Sequence, residues 1–182
     1  MTYNLNPDFF ELFGLPKAFH QDNALIKTRL YQLQQRIHPD NYINATPHEK
    51  RLAIEYAARV NEAYRILECP LKRAVYLLKL QGIDALNEMD TSMPMDFLME
   101  QMSIRERMSL VHHSHSASDL LQLKKEIDAA LIECEKRLRE YLGHEATDLS
   151  EARLWVRKMQ FYVRLHEELA TMTSATLSKD QD

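Results

Sequence analysis

The sequence predicts an all-α protein, and two observations carry that prediction. The chain has 3 glycines and 6 prolines in 182 residues, whereas residues that favour helix, such as leucine, alanine, glutamate and lysine, are plentiful. Apolar residues also recur at spacings of three and four along most of the chain, as they do on one face of an α-helix. No segment has the alternating pattern of a strand and no internal repeat is present, so we expect helices throughout.

The first two helices have start and stop signals. Asn6 can cap the first helix, with Pro7 at its first position, and Gly14 follows the aromatic residues that end it. A second helix should begin after Asp22. Its apolar stripe consists of Ile26, Leu30, Leu33 and Ile37. These residues are four, three and four positions apart, so they share one side of the helix.

The third and fourth helices are also marked by local signals. The segment 46–49 reads Thr-Pro-His-Glu, a capping box with proline at the first helical position. The fourth helix runs from about Pro70 to Gln81 and stops at Gly82. Because the second and third helices are amphipathic and a short loop joins them, we expect an antiparallel hairpin with short helices beside it.

Three longer helical patterns follow a polar linker. Short breaks separate the patterns, which favours antiparallel neighbours and therefore a three-helix bundle. The patterns span 94–112, 118–142 and 149–172. The predicted organisation is a first module at 1–82, a linker at 83–93, the bundle at 94–172 and a flexible tail at 173–182.

The composition argues against several classes of function. The net charge is −4, and it is uneven: residues 1–75 carry 10 Lys and Arg against 8 Asp and Glu, and the remainder carries 13 against 19. Neither part has the concentrated basic footprint of a nucleic-acid-binding protein. No apolar run reaches the ~20 residues that span a bilayer. The first residues also lack the basic and apolar regions of a signal peptide, so we expect a cytoplasmic protein without membrane contact.

The sequence signals for a metal or cofactor site are weak. Cys69 and Cys134 are far apart and are interpreted as ordinary thiols. His112, His113 and His115 form a cluster, but no carboxylate or cysteine completes it at metal-binding spacing. No glycine-rich phosphate loop is present, so we expect no bound nucleotide. Since the cysteines and histidines lack metal-binding spacing, we also expect no metal or other cofactor.

The loop after the second helix carries the most informative motif, His38-Pro39-Asp40. Proline disfavours the helical conformation at the residue before it, so the helix ends here and presents His38 and Asp40. An aspartate so placed can accept charge-assisted hydrogen bonds from an arginine of a partner protein. Taken alone, the tripeptide also fits a helix end whose polar residues simply face water.

The second helix supplies the context for this loop. Its residues Arg29, Gln32 and Arg36 are three and four positions apart and share one side, and Lys27 adds a further positive charge. A basic stripe of this kind is either a solvated face or a surface that docks on an acidic partner.

This stretch resembles the J-domain: a basic amphipathic helix, His-Pro-Asp, then a helix ending Val-Asn-Glu-Ala-Tyr-Arg-Ile-Leu. J-domains act on DnaK-type chaperones, and their His-Pro-Asp loop is required to stimulate ATP hydrolysis. The resemblance implies that role for His38, Pro39 and Asp40. It also implies a docking face whose residues are Lys27, Arg29, Gln32 and Arg36. Asn41 departs from the lysine that many members carry, so we expect weaker electrostatic steering at that position.

Three further segments resemble the HscB family of iron–sulfur co-chaperones. They are Phe-Phe-Glu-Leu-Phe-Gly-Leu-Pro at 9–16, Pro-Leu-Lys-Arg-Ala-Val-Tyr-Leu-Leu at 70–78 and Phe-Leu-Met-Glu-Gln-Met at 97–102. They occur in the family's order along essentially the whole chain. The cysteine-rich N-terminal extension of many eukaryotic members is absent, which indicates the bacterial form. The resemblance implies two partners, the scaffold protein IscU and the DnaK-like chaperone HscA.

The fifth helix has apolar residues on two sides. One stripe suits the bundle core and consists of Phe97, Ile104, Met108 and Val111. A second group lies roughly opposite and consists of Met95, Leu98, Met99 and Met102. The second group either packs against the rest of the protein or offers a patch to a partner.

The last helix shows a similar division. Its core stripe consists of Ala152, Val156, Met159 and Val163, and its far side carries Leu154, Phe161 and Leu165. In the HscB family the scaffold binds a surface of this kind. Carried over by position, the scaffold contacts are Leu98, Met99, Met102, Glu106 and Phe161. Acidic family positions beyond them become Ser103 and Leu110 here, so the polar rim of that surface differs.

The function implied by the resemblance is that of a co-chaperone which delivers IscU to HscA and stimulates its ATP hydrolysis. One alternative is a J-protein that serves a general DnaK-type chaperone and another client. A second alternative is an enzyme with His38 and Asp40 as an acid–base pair, but Pro39 between them makes a shared orientation difficult. We therefore expect that the chain is not an enzyme.

Overall fold

The computed structural model describes residues 7–38, 45–87, 93–114, 116–143 and 148–179, with side chains through Met172 in the last segment. These ranges contain seven helices and no strand, which confirms the all-α prediction. The helices are α1 (Phe9–Phe13), α2 (Asn23–Arg36), α3 (Pro47–Glu68), α4 (Pro70–Leu80), α5 (Met95–Ser114), α6 (Ala117–Tyr141) and α7 (Leu149–Lys179).

The start of α1 differs from the prediction. Asp8, not Asn6, is the N-cap, and its side chain accepts a hydrogen bond from the Glu11 amide at 3.0 Å. Pro7 therefore precedes the cap and does not begin the helix. The carboxylate of Asp8 is also paired with Lys17, which strengthens its hold on this position. Gly14 ends the helix at φ 62°, the left-handed conformation that favours glycine.

Helices α2 and α3 form the predicted antiparallel hairpin. Asp22 caps α2 by accepting from the Ala24 amide at 2.8 Å, and Thr46 and Glu49 form the predicted capping box of α3. Ile26 and Leu33 of α2 are buried, as are Val60, Ala63 and Leu67 of α3. The aromatic rings of α1 lie in the same core.

A buried arginine ties α4 to this core. Arg73 donates hydrogen bonds to the carbonyl oxygens of Phe19, at 2.7 Å, and Leu67. Its guanidinium also lies 5.2 Å from the centre of the Phe19 ring. Buried carbonyl groups are costly without a donor, so one charged side chain stabilises the ends of two segments at once.

The chain divides into two compact units. The first comprises Met1–Ile83 with Arg139–Leu149, and the second comprises Asp84–Leu138 with Ser150–Asp182. The division at residue 83 lies next to the predicted end of the first module. The sequence did not predict that the last turn of α6 belongs to the first unit, where the Phe19 amide donates to the Leu142 carbonyl at 2.8 Å.

In the second unit each pair of helices is joined by side-chain contacts. Arg107 of α5 pairs with Glu126 of α6 at 2.6 Å, and His166 of α7 lies 3.3 Å from Asp128 of α6. Phe97 of α5 packs against α7. Helix α7 continues to Lys179, beyond the predicted limit at residue 172, because no glycine or proline interrupts it there.

Replacing Arg73 by Ala should lower the free energy of unfolding by about 2–4 kcal/mol, since two buried carbonyls lose their donor. Urea denaturation followed by circular dichroism measures the change. Lys72→Ala, at the exposed neighbouring position, is the control and should change stability by less than about 0.5 kcal/mol. Equal losses in the two variants would contradict this role for Arg73.

Candidate functional site

His38 lies directly after the end of α2. The helix stops at Arg36, and the Ile37 amide donates to the Gln34 carbonyl at 3.2 Å. The side chain of His38 is exposed. Pro39, Asp40 and Asn41 lie outside the described residues, so His38 is the part of the motif whose position is described.

The predicted docking face of α2 divides into two parts. Gln32 accepts a hydrogen bond from Arg29 at 3.2 Å. Arg36 follows one turn later on that side, near Tyr56 of α3. Burial raises the pKa of the Tyr56 hydroxyl, and the positive charge of Arg36 opposes that rise. Lys27 is turned by roughly half a revolution from these side chains, because two residues span about 200° of a helix.

Lys27 faces the neighbouring helix. Its Nζ lies 4.0 Å from a carboxylate oxygen of Glu68 on α3, and both side chains are well exposed. The structure thus brings Arg29, Gln32 and Arg36 together but separates Lys27 from them. Any partner that touches all four must wrap around the helix.

Helix α5 has one buried face and one exposed apolar face. The predicted core residues Phe97, Ile104, Met108 and Val111 are all buried. On the opposite side Leu98 is 37% exposed, Met99 66% and Met102 65%, with Met95 also exposed. We call Met95, Leu98, Met99 and Met102 the α5 patch. Within the second unit these four side chains therefore lie outside the bundle core.

The rim of the α5 patch contains both charged and uncharged side chains. Glu106, one turn beyond Met102, is exposed and supplies a negative charge at this edge. Ser103 and Leu110, the two uncharged residues predicted at this rim, are exposed as well. The apolar surface therefore extends toward the end of α5 with one carboxylate beside it.

Contacts with α7 hold the buried face of α5. The Tyr162 hydroxyl donates to Glu100 at 2.6 Å, and burial together with this bond raises the pKa of Tyr162. The ring of Tyr162 meets Phe97 edge-on at 5.9 Å, and the Lys158 amine lies 5.0 Å from the centre of the Phe97 ring. These contacts orient α5 so that the α5 patch is directed outward.

Phe161 corrects the prediction for α7. It is 9% exposed, meets Phe97 edge-on at 5.6 Å and lies 5.9 Å from the Arg105 guanidinium. Leu165 is buried as well, whereas Val163 is partly exposed. Because α7 packs against both α5 and α6, its buried face is wider than the single apolar stripe that the sequence predicted. Phe161 therefore supports the helix that carries the α5 patch.

The cysteines and histidines show no metal-binding arrangement in the described part of the chain, where no group of three His, Cys, Asp or Glu side chains is suitably placed. His113 Nδ1 lies 2.6 Å from the Ser109 carbonyl; His115 is outside the described residues. Both cysteines are free, and burial raises the pKa of Cys134 to about 12, so that thiol stays protonated. None of the described helices has the length and apolar character needed to cross a membrane.

Phe161→Ala should lower the free energy of unfolding by about 3 kcal/mol, because removal of a buried ring leaves a cavity. Met102→Ala, on the exposed face, should change it by less than about 0.5 kcal/mol. Urea unfolding of both variants tests the distinction. A negligible loss for Phe161→Ala would mean that its ring is not part of the core.

Comparison with known proteins agrees with this architecture. Residues 93–170 match the family model of the HSCB C-terminal oligomerisation domain. The chain is 36% identical over 169 residues to a protein of Azoarcus sp. (strain BH72), covering 93% of this chain and 95% of the relative. It is 37% identical over 171 residues to a protein of Bordetella petrii, covering 92% and 97%. Both are named co-chaperone protein HscB homolog.

Solved structures agree as well. Chaperone HscB from Vibrio cholerae is 32% identical with a TM-score of 0.79, covering 93% of this chain and 99% of that one. Human co-chaperone protein HscB is 28% identical with a TM-score of 0.86, covering 95% and 85%. These matches confirm the predicted fold class, a J-domain joined to a C-terminal helical bundle. The chain belongs to the HscB family of co-chaperones.

Proposed function

We propose that this chain is a co-chaperone of iron–sulfur cluster assembly that works through two protein contacts. Its bundle binds an IscU-type scaffold protein, and its J-domain engages HscA, a DnaK-type chaperone ATPase. Binding shifts the chaperone toward the state that hydrolyses ATP and holds the scaffold. The chain itself catalyses no reaction, holds no cofactor or metal, contacts neither nucleic acid nor membrane, and acts in the cytoplasm.

The exposed α5 patch is the observation that carries this proposal. Exposed apolar clusters beside polar residues are typical of protein-binding surfaces. Methionine side chains are flexible and polarisable, so they adapt to the shape of a partner. Leu98, Met99 and Met102 are the central contacts, and Glu106 adds a charged one. Phe161 acts by supporting α5 and touches the partner at most along its narrow exposed edge.

The chaperone contact is assigned to the end of α2. His38 is exposed where the helix stops, and Pro39 and Asp40 follow it in sequence. A carboxylate beside basic residues suits a partner that presents both an arginine and acidic groups. Arg29, Gln32 and Arg36 supply one side of this contact and Lys27 the other. Asn41 is uncharged where many J-domains carry lysine, so the loop has less positive charge than theirs.

A J-protein that serves a general DnaK-type chaperone and a different client is the alternative. Such a protein would share the first unit. A different client, however, would not explain why the α5 patch is exposed and rich in methionine. Membership of the HscB family favours the scaffold-binding function over this alternative.

Replacing Leu98, Met99 and Met102 by serine should weaken binding of the IscU-type scaffold about tenfold or more, because the central apolar contact is lost. Isothermal titration calorimetry measures the affinity. Ile132→Ser is the matched control, since Ile132 is an apolar residue of another helix, α6, and is 69% exposed. Undiminished affinity in the triple variant would contradict scaffold binding at this site.

His38→Gln should abolish stimulation of HscA ATP hydrolysis while leaving scaffold affinity unchanged, because the two contacts lie in different units. Steady-state ATPase rates with and without scaffold measure the effect. If the general DnaK responds to the unmodified chain and HscA does not, the iron–sulfur assignment is wrong. If His38→Gln stimulates as well as the unmodified chain, the J-domain contact is wrong.

A further inference from the structure

A cavity of about 470 Å³ opens in the second unit, near the starts of α5 and α7. Met93 and Pro94 line it from the start of α5, and Leu154 lines it from α7. The charged side chains of its lining all belong to α7, and they are Glu151, Arg153 and Arg157. Its volume is within the range of sites that take a ligand, roughly 300–1,000 Å³.

The charged side chains of this lining carry a net positive charge. Arg153 and Arg157 contribute two guanidinium groups, against the one carboxylate of Glu151. A guanidinium has five N–H donors in a fixed fork, enough to bond to a neighbour in the chain and to a carboxylate at once. The lining therefore suits a carboxylate better than it suits a cation.

The cavity adjoins the α5 patch along α5. Pro94 is next to Met95 in the chain, and the Leu98 amide donates to the Pro94 carbonyl at 3.1 Å. Pro94 therefore lies one turn before Leu98, on the same side of the helix. Met95 and Leu98 are both exposed members of the α5 patch. The cavity thus lies at the Met95 end of that patch.

Helix α7 places Arg157 at the same end. Arg157 precedes Phe161 by four residues, so the two share one side of α7. The ring of Phe161 meets the ring of Phe97 on α5 edge-on at 5.6 Å. Because Phe97 adjoins Leu98 in the chain, Arg157 lies about one turn away from the part of α5 that carries the patch.

The size of a protein interface indicates what reaches the cavity. A stable contact involves roughly 20–30 residues of each partner, so the four residues of the α5 patch are only part of a scaffold contact. The apolar centre of such an interface is normally surrounded by a polar rim. A partner segment that crosses the patch and continues past Met95 arrives at Arg157 and Arg153.

We propose, on the basis of the function proposed above, that Arg153 and Arg157 form a carboxylate-binding subsite for an acidic segment of the IscU-type scaffold. The apolar part of the scaffold packs on the α5 patch. An aspartate or glutamate beside it enters the cavity and accepts hydrogen bonds from the two guanidinium groups. The α5 patch supplies most of the affinity, whereas the subsite attracts the scaffold and fixes its position along α5.

Isothermal titration calorimetry of the full chain with scaffold, at two salt concentrations, tests this subsite. At about 0.1 M salt, Arg153→Gln and Arg157→Gln should each weaken binding about threefold, and the double variant about tenfold, because the carboxylate loses charged donors. At about 1 M salt, charges are screened beyond roughly 3 Å, so the loss in the double variant should shrink to about threefold or less. The thermal unfolding midpoint should be the same for all variants.

Two further variants serve as controls. Lys125→Gln removes the same charge from an exposed position of α6, and it should leave both the affinity and its salt dependence unchanged. Arg157→Lys keeps the positive charge, so at low salt it should retain most of the affinity that Arg157→Gln loses.

Four results would overturn the subsite while leaving the proposed function intact. The double variant could bind scaffold with the affinity and salt dependence of the unmodified chain. Lys125→Gln could weaken binding as strongly as Arg157→Gln, which would indicate an effect of net charge. The loss of affinity could be equal at both salt concentrations and accompany a lower unfolding midpoint, which would give the arginines a structural role. Inorganic phosphate could stabilise the unmodified chain but not the double variant while both bind scaffold alike, which would assign the cavity to a free anion.

Failure of the proposed function has a different signature. Undiminished scaffold affinity after replacement of Leu98, Met99 and Met102 by serine would count against scaffold binding at the α5 patch itself. Loss of affinity in that triple variant, together with unchanged binding by the double arginine variant, would count against the subsite alone.

Discussion

Helix α5 carries apolar side chains on two opposite sides, and its own bundle can bury only one of them. Phe97 and Ile104 enter the core, whereas Met99 and Met102 remain in water. Apolar area left in water forgoes about 25 cal/mol per Å², so the exposed face reduces the stability of the free protein. The Tyr162–Glu100 bond and the ring contacts of Phe97 select which face is buried. The orientation of the α5 patch therefore depends on packing against α7.

Much of the fold could be predicted because its signals are local. Asp22, Thr46, Glu49 and Gly14 act on backbone groups within a few residues of themselves, so their effects can be inferred from sequence spacing. The core face of α5 followed from periodicity alone. The start of α1 could not be decided in this way, since Asn6 and Asp8 are both residue types that cap helices, and the ion pair of Asp8 with Lys17 joins residues nine positions apart.

The errors arose where a residue's environment depends on distant segments. Periodicity placed Phe161 and Leu165 on a free side of α7 because it assumes one packing partner, whereas two helices contact α7. The buried role of Arg73 could not be inferred from the sequence, because it donates to main-chain carbonyls, which every residue has. Lys27 remains a predicted docking residue, but it lies on another side of α2 from Arg29, because two residues span about 200° of a helix.

The composition of the α5 patch has a chemical consequence. Three of its four side chains are thioethers, and all three are exposed to solvent. Oxidation of a methionine to its sulfoxide adds a polar oxygen and turns an apolar side chain into a hydrated one. The buried face holds Met108, which the core shields. Oxidants would thus alter the outward surface of α5 before they affect its packing, and the hydrophobicity of that surface depends on reducing surroundings.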